Sequence, residues 1–241
     1  MRHIAGVWLV VLALPFAAFH AAHAAPRKTH TVVLGAVKHV PYSKGGDPAG
    51  AAQGENELKI RSLIVDGVVK EWTAGDAHDV TDRSFVVRRA IRLNDALPTD
   101  KPEAAKEHWV WQRGPWLLVD RTTGHVTALH LPDYDPGVSQ VSWFRDYAAY
   151  CGVTATGKSL YAVVAQVAAR KPVLSKRLAA FDPGNAAALV CTPPEWQREP
   201  LRITFHPAGK DAVSYDFVPG SAVLVEDTGD EEETQEAAPT K

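Results

Sequence analysis

Cysteine is nearly absent from these 241 residues, with only Cys151 and Cys191 present. No C-x-x-C pair exists, and neither cysteine has a histidine close by in sequence to activate it as a nucleophile. There is no G-x-S-x-G nucleophile turn and no H-E-x-x-H, so the commonest extracellular hydrolase and metalloprotease signatures are missing. Asparagine occurs only as Asn56, Asn94 and Asn185, and none heads an N-x-[ST] glycosylation acceptor. Past the first two dozen residues no stretch is apolar for the roughly 20 residues a spanning helix needs, so no integral membrane segment is expected there. An excess of one charge is also missing. Setting aside Arg2 and the last sixteen residues, the chain carries 24 basic and 21 acidic side chains. That balance leaves no footprint for nucleic acid or for an anionic membrane.

What is present begins with an address. Met1-Arg2-His3 is a short basic start, and Ile4 to Phe19 is an apolar run containing Pro15. Ala22-His23-Ala24 then offers small residues at the two positions a signal peptidase reads, which is the order of a secretory signal. Residues 1–24 are therefore expected to be a signal peptide, with Ala25 the new N-terminus. The alternative is an uncleaved anchor, which the shortness of the run and Pro15 argue against. The mature chain is expected to be exported, periplasmic or extracellular. In such an oxidising compartment Cys151 and Cys191 read as a disulfide, the alternative being two buried thiols.

The segments after the leader read as one β-rich domain over residues 25–225. "LKIRSLIVDGVVKEW" joins two apolar runs at Asp66-Gly67, a strong hairpin signal. "SFVVRRAIRLN" alternates, which predicts Phe85, Val87, Ile91 and Leu93 on one face. "HWVWQRGPWLLVDRTTGHVTALHL" reads as three strands, broken at Arg113-Gly114-Pro115 and at Thr123-Gly124. "LRITFHPAGKDAVSYDF" reads as a hairpin turning at Ala208-Gly209-Lys210. "LLVDRTTGHVTAL" also resembles the outer-strand phrase of β-propeller blades. The expected fold is all-β and antiparallel: a sandwich, a barrel or a small propeller-like array. From Glu226 onward seven acidic residues face one lysine, with no aromatic, and residues 226–241 are expected to be a disordered acidic tail.

"GVTATGKS", Gly152 to Ser159, fits the phosphate-loop pattern G-x-x-x-x-G-K-[ST]. That chemistry needs a buried strand before it, a helix after it and a parallel sheet around both. Little chain follows, and the nearest candidate for a magnesium-binding aspartate is Asp182, followed by Pro-Gly. The expected reading is a polar hairpin loop with Lys158 in water. A nucleotide enzyme is the remote alternative, and no cofactor is expected.

The candidate ligand-binding residues are aromatic. Trp109 and Trp111 lie two apart on a predicted strand and so share a face, with Trp116 beyond a short turn and Arg113 between. Such a set is either core or an exposed stacking platform for a sugar or peptide. "SWFRDYAAY" likewise mixes Trp143, Phe144 and Tyr147 with Arg145 and Asp146. "GDAHDVTDR" gathers His78, Asp79 and Asp82, which suit metal or acid–base work but more commonly form a turn. "PDYDPG" starts like a calcium loop at Asp133 and Asp135, but its glycine comes early and Phe144 stands where the closing Glu belongs. No metal site and no catalytic residue are assigned. The sequence thus predicts an exported binding or envelope-structural module whose partner is a glycan or an envelope protein. The alternative is a hydrolase of envelope polymers, drawing its acid–base groups from His78, Asp79, Asp82, Asp133 or Asp135.

Overall fold

The computed structural model describes residues 29–43, 56–94, 96, 107–136, 138–180, 191–218 and 225–226. The leader at residues 1–24, the tail past Glu226, the polar stretch at 97–106 and Asp182 lie outside them.

Turn chemistry lays out the first sheet. Strands β3 (Glu57–Val65) and β4 (Val68–Thr81) meet at Asp66 and Gly67, whose φ angles are 52° and 78°. That left-handed pair matches the twist of a two-residue hairpin. The Asp66 carboxylate also accepts the Thr31 N–H (3.0 Å) and hydrogen-bonds His30 Nδ1 (2.8 Å), which pins β1 (Val32–Leu34) beside β3. With β2 (Lys38–Pro41), β5 (Ser84–Asn94), β6 (Trp109–Asp120) and β7 (Val126–Ala128) this makes a seven-stranded sheet, ordered β1-β3-β4-β5-β6-β7 with β2 also on β3. At the β6–β7 turn the Asp120 carboxylate accepts the Thr123 and Thr122 N–H groups, at 3.0 and 2.6 Å. Those bonds hold its pKa below the usual value. Their contribution to stability is present above the ordinary carboxylate range and is lost as pH falls through the depressed value.

Two four-stranded meanders follow. One is β8 (Ser142–Phe144), β9 (Tyr147–Val153), β10 (Ser159–Gln166) and β11 (Leu174–Ala180); the other is β12 (Thr192–Arg198), β13 (Leu201–His206), β14 (Val213–Asp216) and β15 (Val225–Glu226). Gly209, at φ 70°, turns β13 into β14 at the expected place. The fold is all-β and its strands pair antiparallel, without closing into a barrel; the described residues contain no helix. No helix among them is long and apolar enough to cross a membrane. β15 pairs Glu226 with Tyr215, so regular structure takes in the first residue of the expected tail.

The middle sheet is buried on both faces, which explains why "YAAYCGV" is apolar without alternation. Tyr147, Ala149, Cys151 and Val153 point with Leu160 and Val164 toward Ile203, Phe205 and Tyr215 of the third sheet. Ala148, Tyr150 and Val163 point the other way, toward Leu131 and Trp116. Burial, with Asp133 nearby, pushes the Tyr150 phenol pKa up, so it remains protonated and donates to the Pro132 carbonyl. Cys151 on β9 is bonded to Cys191, just before β12, with a Cα–Cα separation of 6.1 Å. The bond ties the second sheet to the third through their shared core.

Two local expectations are corrected. Arg113-Gly114-Pro115 does not break the chain, because β6 runs through it. The register with β5 slips there instead, pairing Arg88 with Trp116 but Ala90 with Arg113, so β6 carries one extra residue. Such a bulge accommodates Pro115, which has no N–H for the ladder. A Cβ on Gly114 would lie 2.7 Å from Ile91 Cδ1 and 3.2 Å from the Arg89 carbonyl oxygen, so a larger residue there would have to displace the Ile91 side chain. "GDAHDVT" is strand rather than turn: β4 continues through it with a register shift after Ala74, and Gly75 has φ 74°. Phe85, Val87, Ile91 and Leu93 alternate along β5 as expected; Phe85 and Val87 enter the core, and Leu93 at the far end is 37% exposed.

Candidate functional site

The bulge in β6 decides how the candidate tryptophans are arranged. Trp109, Trp111 and Arg113 face the same way as their β5 partners Asn94, Arg92 and Ala90. In an unbroken alternation Trp116 would point to the opposite side. The extra residue at Gly114-Pro115 turns it back, so all four candidates share one side of the first sheet. Their surroundings nevertheless differ.

Trp116 belongs to the core between the first and second sheets. Its ring meets Trp143 edge to face at 5.1 Å, beside Leu131, Tyr150 and Val163. Its buried indole Nε1 has no hydrogen-bond partner among the described residues. Trp111 meets Trp72 edge to face at 5.7 Å and packs with Val40 and Tyr42 over Leu58, Ile60, Ala74 and Ala90. Arg113 Nη1 donates to the Tyr42 hydroxyl at 2.6 Å, and its guanidinium lies 4.9 Å from the centre of that ring. Trp109 begins the strand and is 41% exposed. Its indole N–H donates to Glu107 Oε2 at 2.8 Å, and the Arg92 guanidinium sits 4.6 Å over the ring. Beside it a cavity of about 390 Å3 is lined by Trp72, Trp111, Arg92, Ala90 and the Arg89–Glu71 ion pair (2.9 Å).

Sequence reasoning missed Tyr42, Trp72, Lys38 and Arg92 as members of this face. Tyr42 arrives through an isolated parallel bridge to Trp111, and the Ser43 N–H donates to the Trp111 carbonyl at 2.9 Å. The Lys38 ammonium lies 4.9 Å over Trp72. None of these pairings has a local signature. Only the alternation of β4 and β5 against β6 would have placed Trp72 and Arg92 here.

The acid–base candidates are dispersed. His78 Nε2 donates to the Arg145 carbonyl at 2.7 Å and its ring stacks on Trp143 at 5.6 Å. Asp79 pairs with Arg121 at 2.6 Å, and Asp82 stands exposed in the β4–β5 turn. Asp133 and Asp135 line a broad groove of about 730 Å3 with His130, Tyr134 and Thr154. A separate cleft of about 470 Å3 gathers His78, Trp143, Phe144, Arg145, Arg198 and Glu199 from all three sheets. No cluster of three His, Cys, Asp or Glu suited to a metal ion occurs among the described residues.

"GVTATGKS" is a hairpin. Gly152 and Val153 pair antiparallel with Tyr161 and Leu160, and a turn closed by Gly157 N–H on the Thr154 carbonyl (2.7 Å) joins the strands. The strand–loop–helix geometry of a phosphate loop is absent here, since β10 follows directly. Each glycine has its own structural reason. A Cβ on Gly152 would lie 2.9 Å from the Asp133 carbonyl oxygen, and Gly157 has φ 65°. Lys158 is exposed. Lys158→Ala should therefore change stability by no more than about 0.5 kcal/mol. Titration with ATP should give no saturable binding to either form; affinity that vanished with the lysine would overturn this reading. No protein-family model matches the chain, and no curated protein or solved structure is detectably similar to it.

Proposed function

We propose that this chain is an exported, β-rich binding module for a glycan, with Trp109, Trp111 and Arg113 at the centre of its binding face. One observation carries the reading. The Trp109 ring is 41% exposed, yet it is fixed through its N–H by Glu107 and across its face by Arg92. A free surface tryptophan loses rotamer entropy when it stacks on a ligand, and a ring already fixed loses less. The apolar face of a pyranose stacks on an indole, while its hydroxyls take hydrogen bonds from nearby guanidinium groups. Arg92, Arg113 and the Arg89–Glu71 pair supply such groups around Trp111. Trp116 has a different part, supporting the sheet beneath.

Export rests on the leader sequence and on the Cys151–Cys191 bond, which suits an oxidising compartment. The exported form should have the intact mass of a chain beginning at Ala25; an unprocessed mass would contradict it. The binding reading is tested by retention of the purified protein on insoluble peptidoglycan and on neutral polysaccharide.

The hydrolase reading has one observation in its favour. Asp133 and Asp135 line a single groove beside His130. Release of reducing sugar by the wild type, lost in Asp133→Asn or Asp135→Asn, would establish it in place of simple binding.

A further inference from the structure

The cleft where the three sheets meet is a second site, distinct from the Trp109–Trp111 face. Its walls come from sequence-distant elements: His78 on β4, Trp143 and Phe144 on β8 with Arg145 after it, and Arg198, Glu199 and Leu201 at the β12–β13 turn. A volume of about 470 Å3 lies within the usual range for small-ligand sites.

Two features distinguish it from an ordinary crevice. The first is charge: two arginines, Arg145 and Arg198, line one cleft, and neither they nor the Glu199 carboxylate make an ion pair among the described residues. The aromatic surfaces, by contrast, are already engaged: Trp143 lies against His78 and Trp116, and Phe144 against Trp196 and Arg145. The polar groups are what the cleft offers a ligand. The second feature is backbone conformation. Arg145 has φ 51° in the two-residue turn between β8 and β9, a region that glycine and asparagine occupy with less strain. An arginine there is the poorer choice for the turn. The same conformation places its carbonyl on the His78 N–H.

We infer that this cleft binds a carboxylate-bearing sugar, a uronic acid residue of an anionic polysaccharide, with Arg145 and Arg198 on the carboxylate and Glu199 accepting from a ring hydroxyl. A guanidinium group matches a planar carboxylate in geometry and charge. A neutral sugar would leave both arginines unanswered. The inference rests on the glycan reading only for the ligand class, since none of its residues belongs to the Trp109 face.

The test uses the mature full chain, titrated calorimetrically with trigalacturonate, maltotriose and inorganic phosphate. Trigalacturonate is expected to bind, more weakly as salt rises, and phosphate is not; maltotriose binding at the Trp109 face should be indifferent to Arg145 and Arg198. Arg145→Gly and Arg198→Gln should each weaken trigalacturonate binding by about tenfold or more, the loss of a charge-assisted contact. Arg145→Gly should do so without lowering the melting temperature, because glycine suits the turn better; a mere folding role for Arg145 would give the opposite pairing. The inference is overturned if trigalacturonate does not bind, if phosphate binds equally well, if the arginine variants weaken maltotriose binding as much as trigalacturonate binding, or if both arginine variants keep wild-type affinity for trigalacturonate. Loss of neutral-glycan retention in Trp109→Ala bears on the other face alone, so the two readings fail separately.

Discussion

Replacing Cys151 and Cys191 together with alanine is expected to lower the stability of the protein by about 4 kcal/mol, the loop-closure entropy for a bond of this span. The two cysteines are 40 positions apart. Both sulfur positions lie inside the core between the second and third sheets, at 1% and 2% exposure. Without the bond, the third sheet is held to the second by packing alone, chiefly through Ile203, Phe205 and Tyr215 against β9 and β10. For a chain of this size the loss corresponds to a fall in melting temperature of about 10 °C. Melts of the wild type with and without reductant should reproduce the same gap. Labelling of both thiols by an alkylating agent in the absence of reductant would show that the bond does not form in solution.

The second large effect separates the tryptophans that the sequence grouped together. Trp116→Ala should cost about 3 kcal/mol, since it opens a cavity beneath Trp143 between two sheets. Trp109→Ala should stay within about 0.5 kcal/mol, because the residue stands at the end of a strand and is 41% exposed. Denaturant unfolding of the two variants side by side measures the contrast. Equal losses would mean that Trp109 is structural, and that the exposed ring is not available to a ligand.

This contrast also shows where sequence reasoning reached and where it stopped. Local chemistry was legible. Asp66-Gly67 forms the predicted left-handed turn, Gly209 turns β13 into β14, and "DYAAYC" and "LYAVVAQV" pair as a hairpin around Thr154 to Lys158. The cysteine pairing followed from compartment and parity. The bulge at Gly114-Pro115 was not legible, because glycine followed by proline marks a chain break as readily as an extra residue within a strand. The stacking of sheets was not legible either. Whether Trp116 is surface or core depends on Trp143, 27 positions further on, and whether Trp109 is held depends on Arg92 across the ladder. A phosphate-loop pattern arose for reasons unrelated to phosphate. Gly152 lets the Asp133 backbone pass, Gly157 closes a turn, and Lys158 lies in water.

The account turns on the exposed face of β6. Its most direct test is retention of the purified protein on insoluble glycan, comparing wild type with Trp109→Ala at matched concentration, with a thermal melt of each. The account predicts that the wild type is retained, that the variant passes through, and that the two melt together. Retention of Trp109→Ala equal to the wild type would contradict it, as would failure of the folded wild type to bind any of the glycans presented.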